Sequence, residues 1–179
     1  MLIKTIFSGF GGQGVLSMGQ TLAKAAMMEG KYVTYLPTYG TEVRGGTANC
    51  TVTVSDEEIA SPIASEPDFV VAMNQPSFLR FQNMLRSGGF LLYNSSLVSS
   101  VSPREDIEVE GVPVMKIANE LGNARVTNMV MFGVFIKRSD LISLDSLMEN
   151  LLEILGAKKA KLLDANKEAI QVGFNYKGE

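Results

Sequence analysis

The sequence predicts an α/β protein in which helices cover both faces of a mixed, mostly parallel central sheet. Short apolar runs alternate with longer helical patterns along the 179 residues. A glycine-rich turn joins the first strand to the first helix, and a hydrophobic content of 46% is enough for one sizeable core. No repeat, low-complexity segment or long linker interrupts this pattern. We therefore expect a three-layer α/β/α architecture that forms a single domain over residues 1–179.

The first part of the chain predicts three strands and one helix. Residues 2–7 form a short apolar run typical of a buried strand, and the apolar residues of 15–28 recur at helical spacing. Residues 31–35 predict a second strand, and residues 49–54 alternate polar and apolar side chains like a half-buried third strand. The intervening segment, 37–46, is too short for a helical crossover. The second and third strands are therefore predicted to be antiparallel, which makes the sheet mixed.

The rest of the chain continues the alternation of strands and helices. Apolar runs predict strands over 68–73, 90–93 and 112–115. Residues 126–136 are apolar nearly all round, as in a helix buried on most faces, and a strand is the competing interpretation. Ser143 is placed as the N-cap of the helix that follows it. The helices predicted here are 76–86, a short helix that stops near Gly122, 126–136, 144–155 and 158–172.

Composition excludes several kinds of chemistry. The chain has no histidine and one cysteine, Cys50, so it cannot alone supply the usual ligands of a zinc site or an iron–sulfur cluster. Serine–histidine and cysteine–histidine catalysis are excluded for the same reason. The 16 Lys and Arg residues against 19 Asp and Glu residues give a net charge of −3, without a basic block for nucleic acid. No apolar run reaches the roughly 18 to 20 residues of a membrane span, and no signal-peptide pattern is present, so we expect a cytoplasmic protein.

The most informative motif is G-x-G-x-x-G at Gly9, Gly11 and Gly14, between the first strand and the first helix. Glycines there let backbone N–H groups and a helix N-terminus approach an anionic group. A dinucleotide-binding fold places an acidic residue about 20 residues further on, at the end of the second strand, but that strand ends in residues 36–39, Leu-Pro-Thr-Tyr. A P-loop also fails, because no Gly-Lys-Ser/Thr closes the turn. Phosphate binding and a purely structural tight turn both remain open.

A second unusual segment, residues 39–49, contains Arg44 followed by Gly45 and Gly46. The glycines allow a close approach to another surface, and Arg44 offers a planar fork to a carboxylate, a phosphate or a partner side chain. A solvated hairpin loop is the alternative interpretation. In open sheets, the loops that follow parallel strands gather at one edge. That edge is predicted to bring together residues 9–14, 38–46, 74–75 and 94–96.

Residues 9–15 and 39–50, taken together, closely resemble the gamma subunit of 2-oxoacid:ferredoxin oxidoreductases. Within that family, the compact length and the sequence of residues 73–77, Met-Asn-Gln-Pro-Ser, are most similar to the gamma subunit of the 2-oxoglutarate (2-ketoglutarate) enzyme. Thr41 departs from the proline of many relatives. By this resemblance, residues 1–179 are identified as a single gamma-type domain. The similarity also extends through residues 61–62, 67–68, 128–130 and 166–173.

The resemblance implies a hetero-oligomeric complex that oxidatively decarboxylates a 2-oxoacid, such as 2-oxoglutarate or pyruvate, to its acyl-CoA and reduces ferredoxin. It implies thiamine diphosphate, Mg and a [4Fe–4S] cluster on partner subunits, which are thiamine-binding alpha and beta subunits and a ferredoxin-like delta subunit. CoA is then a co-substrate, and this chain alone binds no cofactor. The isolated chain is expected to be inactive.

The same resemblance suggests which residues of this chain contact CoA or a partner subunit. No residue is assigned a catalytic or metal-binding role. Two alternatives remain open: a stand-alone CoA- or phosphate-binding module, and a nucleotide-dependent oxidoreductase that uses the turn at residues 9–14. The candidate contacts are Gly11, Gly12, Gln13, Gly14, Arg44 and Gly45.

Overall fold

The computed structural model describes residues 1–39 and 46–178, and within them a six-stranded mixed sheet forms the middle of the molecule. The first strand lies between the third, which is antiparallel to it, and the fourth, which is parallel. The second strand pairs antiparallel with the third, and the fifth and sixth continue the parallel side. The predicted mixed sheet is therefore confirmed. The strands are β1 (Leu2–Phe10), β2 (Tyr32–Tyr39), β3 (Thr47–Ser55), β4 (Phe69–Ala72), β5 (Phe90–Asn94) and β6 (Glu108–Val112), in the sheet order β2-β3-β1-β4-β5-β6.

Helices pack on both faces of this sheet, as the alternating pattern predicted. Successive strand residues point to opposite faces, so Phe7 lies in a large core that holds most of the helices, while Ile6 lies in a smaller core with Phe78. The helices are α1 (Val15–Met28), α2 (Gln75–Phe81), α3 (Val114–Glu120), α4 (Thr127–Ser139), α5 (Leu144–Leu155) and α6 (Leu163–Phe174), with 3-10 segments at Gln82–Met84, Ala124–Val126 and Ala157–Leu162.

Local residue chemistry explains where several helices begin and end. The hydroxyl of Ser143 accepts a hydrogen bond from the backbone N–H of Ser146 at 3.3 Å, so the predicted N-cap of α5 is confirmed. Gly30 follows α1 with φ of 77° and donates its N–H to the carbonyl of Met27. The apolar run at 126–136 is helical and not a strand, since residues 127–136 lie in α4 and Val126 ends the 3-10 segment before it.

Three predicted elements have the wrong bounds. The strand expected over 112–115 is β6, which ends at Val112, and Val114 already begins α3. Pro113 has no backbone N–H with which to extend the ladder of hydrogen bonds. β6 is an edge strand, where charged residues are tolerated, and its glutamates interrupt the apolar pattern that would have predicted it. The helix expected over 158–172 begins only at Leu163, because residues 157–162 form a 3-10 segment after Gly156, whose φ is 86°. The helix predicted to end near residue 86 is shorter as well: α2 ends at residue 81 and a 3-10 segment follows.

A close crossing of α4 and α6 fixes one side of the molecule. A Cβ atom on Gly133 would meet the carbonyl oxygen of Ile170, and one on Gly173 would meet the carbonyl oxygen of Val130. Because these neighbours are backbone atoms, a larger residue at either glycine requires the helices to separate. The crossing anchors α4, whose first turn borders the candidate site described next.

Candidate functional site

The ends of β1, β4 and β5 meet at one edge of the sheet, where polar side chains join them. Gln13, which follows β1, donates from Nε2 to the carbonyl oxygen of Met73 at 3.2 Å. Asn94, the last residue of β5, donates from Nδ2 to the same oxygen at 3.4 Å. The structure therefore confirms that the segments after these parallel strands gather at this edge, as the topology predicted.

Residues 11–14 form the turn between β1 and α1. Gly12 and Gly14 have φ of 97° and 75°, values that side-chain-bearing residues rarely adopt. Gly14 is the N-cap of α1 and makes no side-chain capping bond, so the first-turn N–H groups have no side-chain acceptor from that position. The N–H of Gly11 donates to the carbonyl of Gly46 at 2.9 Å, which ties the start of β3 to the turn. The positive end of the α1 dipole therefore lies at this edge.

Gln13 supports the turn from within the protein. Its Oε1 accepts from the N–H of Phe10 at 2.7 Å and from Nδ2 of Asn74 at 3.2 Å, while its Nε2 binds the Met73 carbonyl. Asn74 also caps α2 by accepting the N–H of Ser77 at 2.9 Å. Gln13 therefore connects the end of β1, the end of β4 and the beginning of α2. Its role in the described structure is to position the turn.

A cleft of about 490 Å³ opens beside the turn. Small-molecule sites typically measure roughly 300 to 1,000 Å³, so the cleft is large enough for part or all of a cofactor-sized ligand. Gly12, Gly14 and Ser17 line it on the α1 side, and Arg125 and Lys159 add two cationic side chains. Among the described residues that line the cleft, none is acidic. A helix N-terminus and two cations without a counter-charge favour an anionic ligand.

The cationic side of the cleft is attached to the turn through the beginning of α4. Asn128 donates from Nδ2 to the carbonyl of Gly14 at 3.4 Å, and a Cβ atom on Gly14 would collide with the Asn128 side chain. Two residues before α4, the backbone N–H of Arg125 is capped by the side chain of Asn123 at 3.0 Å. The close contact between Asn128 and Gly14 therefore positions the neighbouring Arg125 near the turn.

The structure separates the sequence-predicted contact residues into three groups. Gly12, Gln13 and Gly14 line the cleft, while Gly11 is engaged with the start of β3. Arg44 and Gly45 lie outside the described residues, so their predicted contacts stay predictions. Sequence reasoning missed Arg125, Lys159 and Asn128, which come from segments more than 100 residues away from the turn. Asn128 falls in one of the segments that carried the family resemblance, which was the one available signal.

The lone thiol has no part in this cleft. Cys50 is buried in β3, with Sγ 3.6 Å from the carbonyl oxygen of Val15, and burial raises the pKa of its thiol to about 12. A protonated, buried thiol is a poor nucleophile and a poor metal ligand.

The described residues contain no cluster of the usual metal-binding side chains. Within residues 1–39 and 46–178, no group of three His, Cys, Asp or Glu side chains lies close enough to hold a metal ion. With no histidine and one cysteine, the chain does not supply the four-cysteine set of a [4Fe–4S] cluster.

Within residues 1–39 and 46–178, no helix combines the length and apolar character needed to cross a membrane.

Comparison with solved structures first defines the class of protein. The gamma subunit of a keto/oxoacid ferredoxin oxidoreductase from Geobacter sulfurreducens superposes with a TM-score of 0.81 at 27% identity, over 96% of both chains. A 2-oxoglutarate:ferredoxin oxidoreductase from Magnetococcus marinus, with 2-oxoglutarate, coenzyme A and succinyl-CoA bound, gives a TM-score of 0.86 at 25% identity over 97% of this chain and 30% of that one. The fold is therefore the α/β fold of the Geobacter gamma subunit and of part of the Magnetococcus chain.

Sequence comparison then gives the family. Residues 4–176 match the family described as pyruvate ferredoxin/flavodoxin oxidoreductase, and the chain belongs to that family. This confirms the resemblance found in the sequence.

Named relatives differ in how much of their length this chain spans. Ketoisovalerate oxidoreductase subunit VorA of Methanothermobacter thermautotrophicus is 39% identical over 178 residues, which cover 99% of this chain but 37% of VorA. The chain thus spans little more than a third of that relative. 2-Oxoglutarate synthase subunit KorC of Methanocaldococcus jannaschii is 32% identical over 165 residues, covering 89% of this chain and 88% of KorC.

Proposed function

We propose that this chain is the gamma-type component of a 2-oxoacid:ferredoxin oxidoreductase. Family membership supports the proposal, as does the match with KorC over most of both chains. Its proposed partners are thiamine-binding alpha and beta subunits and a ferredoxin-like delta subunit, with ferredoxin as electron acceptor. In this division the other subunits hold thiamine diphosphate, Mg and the [4Fe–4S] cluster. The residue inventory agrees with it, because this chain has one cysteine and no histidine and so lacks the ligands of a cluster.

The cleft beside the glycine turn carries the ligand part of the proposal, which is that it binds the phosphates of CoA. Arg125 and Lys159 line it, and both side-chain types are cationic at neutral pH. The N-terminus of α1 adds roughly half a positive charge. The presence of coenzyme A in the Magnetococcus marinus structure supports CoA as the anion.

In this proposal the residues of this chain bind and orient, and none of them transfers a proton. Glycine at Gly12 leaves open space where a side chain would stand, so a phosphate can approach the backbone. Gln13 holds the turn in that shape through three hydrogen bonds. The acyl acceptor of the proposed complex is the thiol of CoA. When the cleft anchors the phosphates of CoA, that thiol is presented to the partner subunits.

The substrate of the complex is proposed as a 2-oxoacid. KorC relatives are named for 2-oxoglutarate, which the wording of residues 73–77 also favours, whereas VorA and PorC relatives are named for ketoisovalerate and pyruvate. Co-expression with the alpha, beta and delta subunits, followed by assays with these three acids, distinguishes them by kcat/KM. Without those subunits, the chain is expected to be inactive and free of thiamine diphosphate and iron.

Calorimetric titration of the full chain tests the ligand. CoA is expected to bind, and NAD, NADP and FAD are expected not to bind. Tight binding of a dinucleotide with no binding of CoA would instead favour a nucleotide-dependent oxidoreductase. CoA binding by a chain that does not assemble with the thiamine-binding subunits would favour a stand-alone binding module.

A further inference from the structure

We infer that Leu97 and Met115 form an apolar subsite on the β5–β6 side of the cleft, and that Gln75 is a positioning residue that holds Leu97 there. The inference rests on the proposed function, since it takes CoA as the ligand. The chemistry recognised is an apolar group beside a phosphate, which in CoA is either the pantetheine arm or the adenine ring.

The two side chains of this subsite are both open to solvent and both border the cleft. Leu97 is 43% exposed and Met115 is 40% exposed, and both line the cleft. Leu97 follows β5 and Met115 belongs to α3, which follows β6, and in the sheet β4 separates these strands from β1 and its turn. A ligand that places its phosphates at the turn can therefore cover these side chains with its next apolar group. Covering them removes apolar surface from water, which favours binding.

Backbone contacts couple Leu97 and Met115 to each other. The N–H of Met115 donates to Oγ of Ser96 at 3.3 Å, and the N–H of Leu97 donates to the carbonyl of Asn94 at 3.1 Å. Asn94 in turn binds the Met73 carbonyl that Gln13 also contacts. The apolar subsite is therefore built on the same hydrogen-bond network as the turn.

Gln75 fixes the segment that follows Leu97. Its Oε1 accepts from the N–H groups of Ser99 and Ser100, each at 3.1 Å, and its Nε2 donates to the carbonyl of Ser100 at 2.8 Å. The intervening Val98 is buried in the smaller core. Gln75 itself does not belong to the cleft lining in the described structure. Its effect on a ligand therefore passes through Leu97.

Single substitutions test the subsite in CoA titrations of the full chain and in the KM for CoA of the assembled complex. Leu97→Ala is expected to weaken CoA binding about tenfold, because it removes apolar contact with the ligand. Leu79→Ala is the matched control, since Leu79 is 51% exposed but lies on α2 away from the cleft. Met115→Ala is expected to weaken binding about threefold to tenfold. Equal affinities for Leu97→Ala and Leu79→Ala overturn the subsite.

A double-mutant cycle tests the role of Gln75. Gln75→Ala is expected to weaken CoA binding about threefold to fivefold and to raise the KM for CoA with little change in kcat. The Gln75→Ala/Leu97→Ala double variant is expected to bind no more weakly than Leu97→Ala alone. Additive losses mean that Gln75 acts independently of Leu97 and overturn the positioning role. Gln75→Glu keeps the acceptors but not the donor, so partial recovery is expected.

Ligand fragments identify which apolar group is recognised. Weaker binding of 4′-phosphopantetheine by Leu97→Ala assigns the subsite to the pantetheine arm, and weaker binding of adenosine 3′,5′-bisphosphate assigns it to adenine. Either result supports the subsite, and unchanged binding of both fragments overturns it. If the unmodified chain and complex do not bind CoA, the proposed function itself fails. If they bind CoA but Leu97→Ala is neutral, the inference alone fails.

Discussion

Two regions of this molecule depend on glycine for opposite physical reasons. At the α4–α6 crossing, Gly133 and Gly173 lie in ordinary helical backbone, and neighbouring backbone atoms occupy the space that a Cβ atom would need. At the turn, Gly12 has φ of 97° and open space around its missing Cβ atom. The crossing needs glycine for room, and the turn needs it for a left-handed conformation and for access. Substitutions at the crossing should therefore affect stability, while those at the turn should also affect binding.

The largest effect is expected at the crossing. Gly133→Ala should lower the free energy of unfolding by about 3 kcal/mol, because its Cβ atom would meet the carbonyl of Ile170. Urea denaturation measures the loss, and Glu168→Ala, at an exposed position of α6, is the control. CoA affinity of the folded fraction should be unchanged. A loss below about 0.5 kcal/mol would show that the helices separate easily.

Gly14 requires glycine for both reasons, and its substitution should have the second-largest effect on stability. Gly14→Ala places a side chain at φ of 75° and against Asn128, so we expect a loss of about 2 kcal/mol in stability together with loss of CoA binding. Adding Asn128→Ala should recover part of the stability, since it removes the collision but not the backbone strain. No recovery in denaturation experiments would mean that the collision contributes nothing.

Gly12 isolates the backbone conformation. Gly12→Ala should cost about 1 kcal/mol, and so should Gly30→Ala, because both residues have positive φ and no atom lies within 4 Å of either Cβ position. We expect only Gly12→Ala to weaken CoA binding, since Gly30 follows α1 at its far end. Titration calorimetry with both variants provides the comparison, and equal affinities would remove the turn from the binding site.

The cationic side chains should change binding without changing stability. Arg125→Gln and Lys159→Gln are each expected to weaken CoA binding about fivefold to tenfold and to alter stability by less than about 0.5 kcal/mol. The exposed Lys161 is outside the cleft, so Lys161→Gln is the matched control. The loss should shrink as salt is raised from low to physiological concentration. A salt-independent loss would argue against direct charge recognition.

The smallest effect below pH 9 concerns the thiol of Cys50, which lies beside Gly19, another glycine with no room for a Cβ atom. A Cβ atom on Gly19 would meet Sγ of Cys50, and burial raises the pKa of that thiol from 9.0 to about 12. Because the folded-state pKa lies above the unfolded one, stability from this group is complete below pH 9 and falls as pH rises from 9 toward 12. At pH 8, iodoacetamide should modify Cys50 only after denaturant is added. Rapid labelling of the native protein would contradict this.

The regions also differ in how far the sequence predicts them. The turn follows from local glycine spacing, and its meeting with the ends of β4 and β5 follows from topology. The cleft does not, because Arg125 and Lys159 reach it from 3-10 segments whose placement depends on how α4 and α5 pack. β6 was misplaced because its glutamates break the apolar pattern that identifies the other strands. Arg44 lies outside the described residues, so its contact with CoA or a partner subunit stays a prediction.

The two outer strands of the sheet determine how this chain can meet its neighbours. Pro37 of β2 has no backbone N–H. In an edge strand, a proline stands where that N–H would otherwise point to solvent, so the outer side of β2 lacks one hydrogen-bond donor. In β6, Glu108 and Glu110 place charge at the other border, where Glu110 binds Arg138 at 2.8 Å. Across residues 32–39 and 108–112, neither border therefore favours strand addition from another chain. In the proposed complex, partner subunits are therefore expected to contact side-chain surfaces and loops and not the strand edges, and growth of the sheet from copy to copy of this chain is disfavoured.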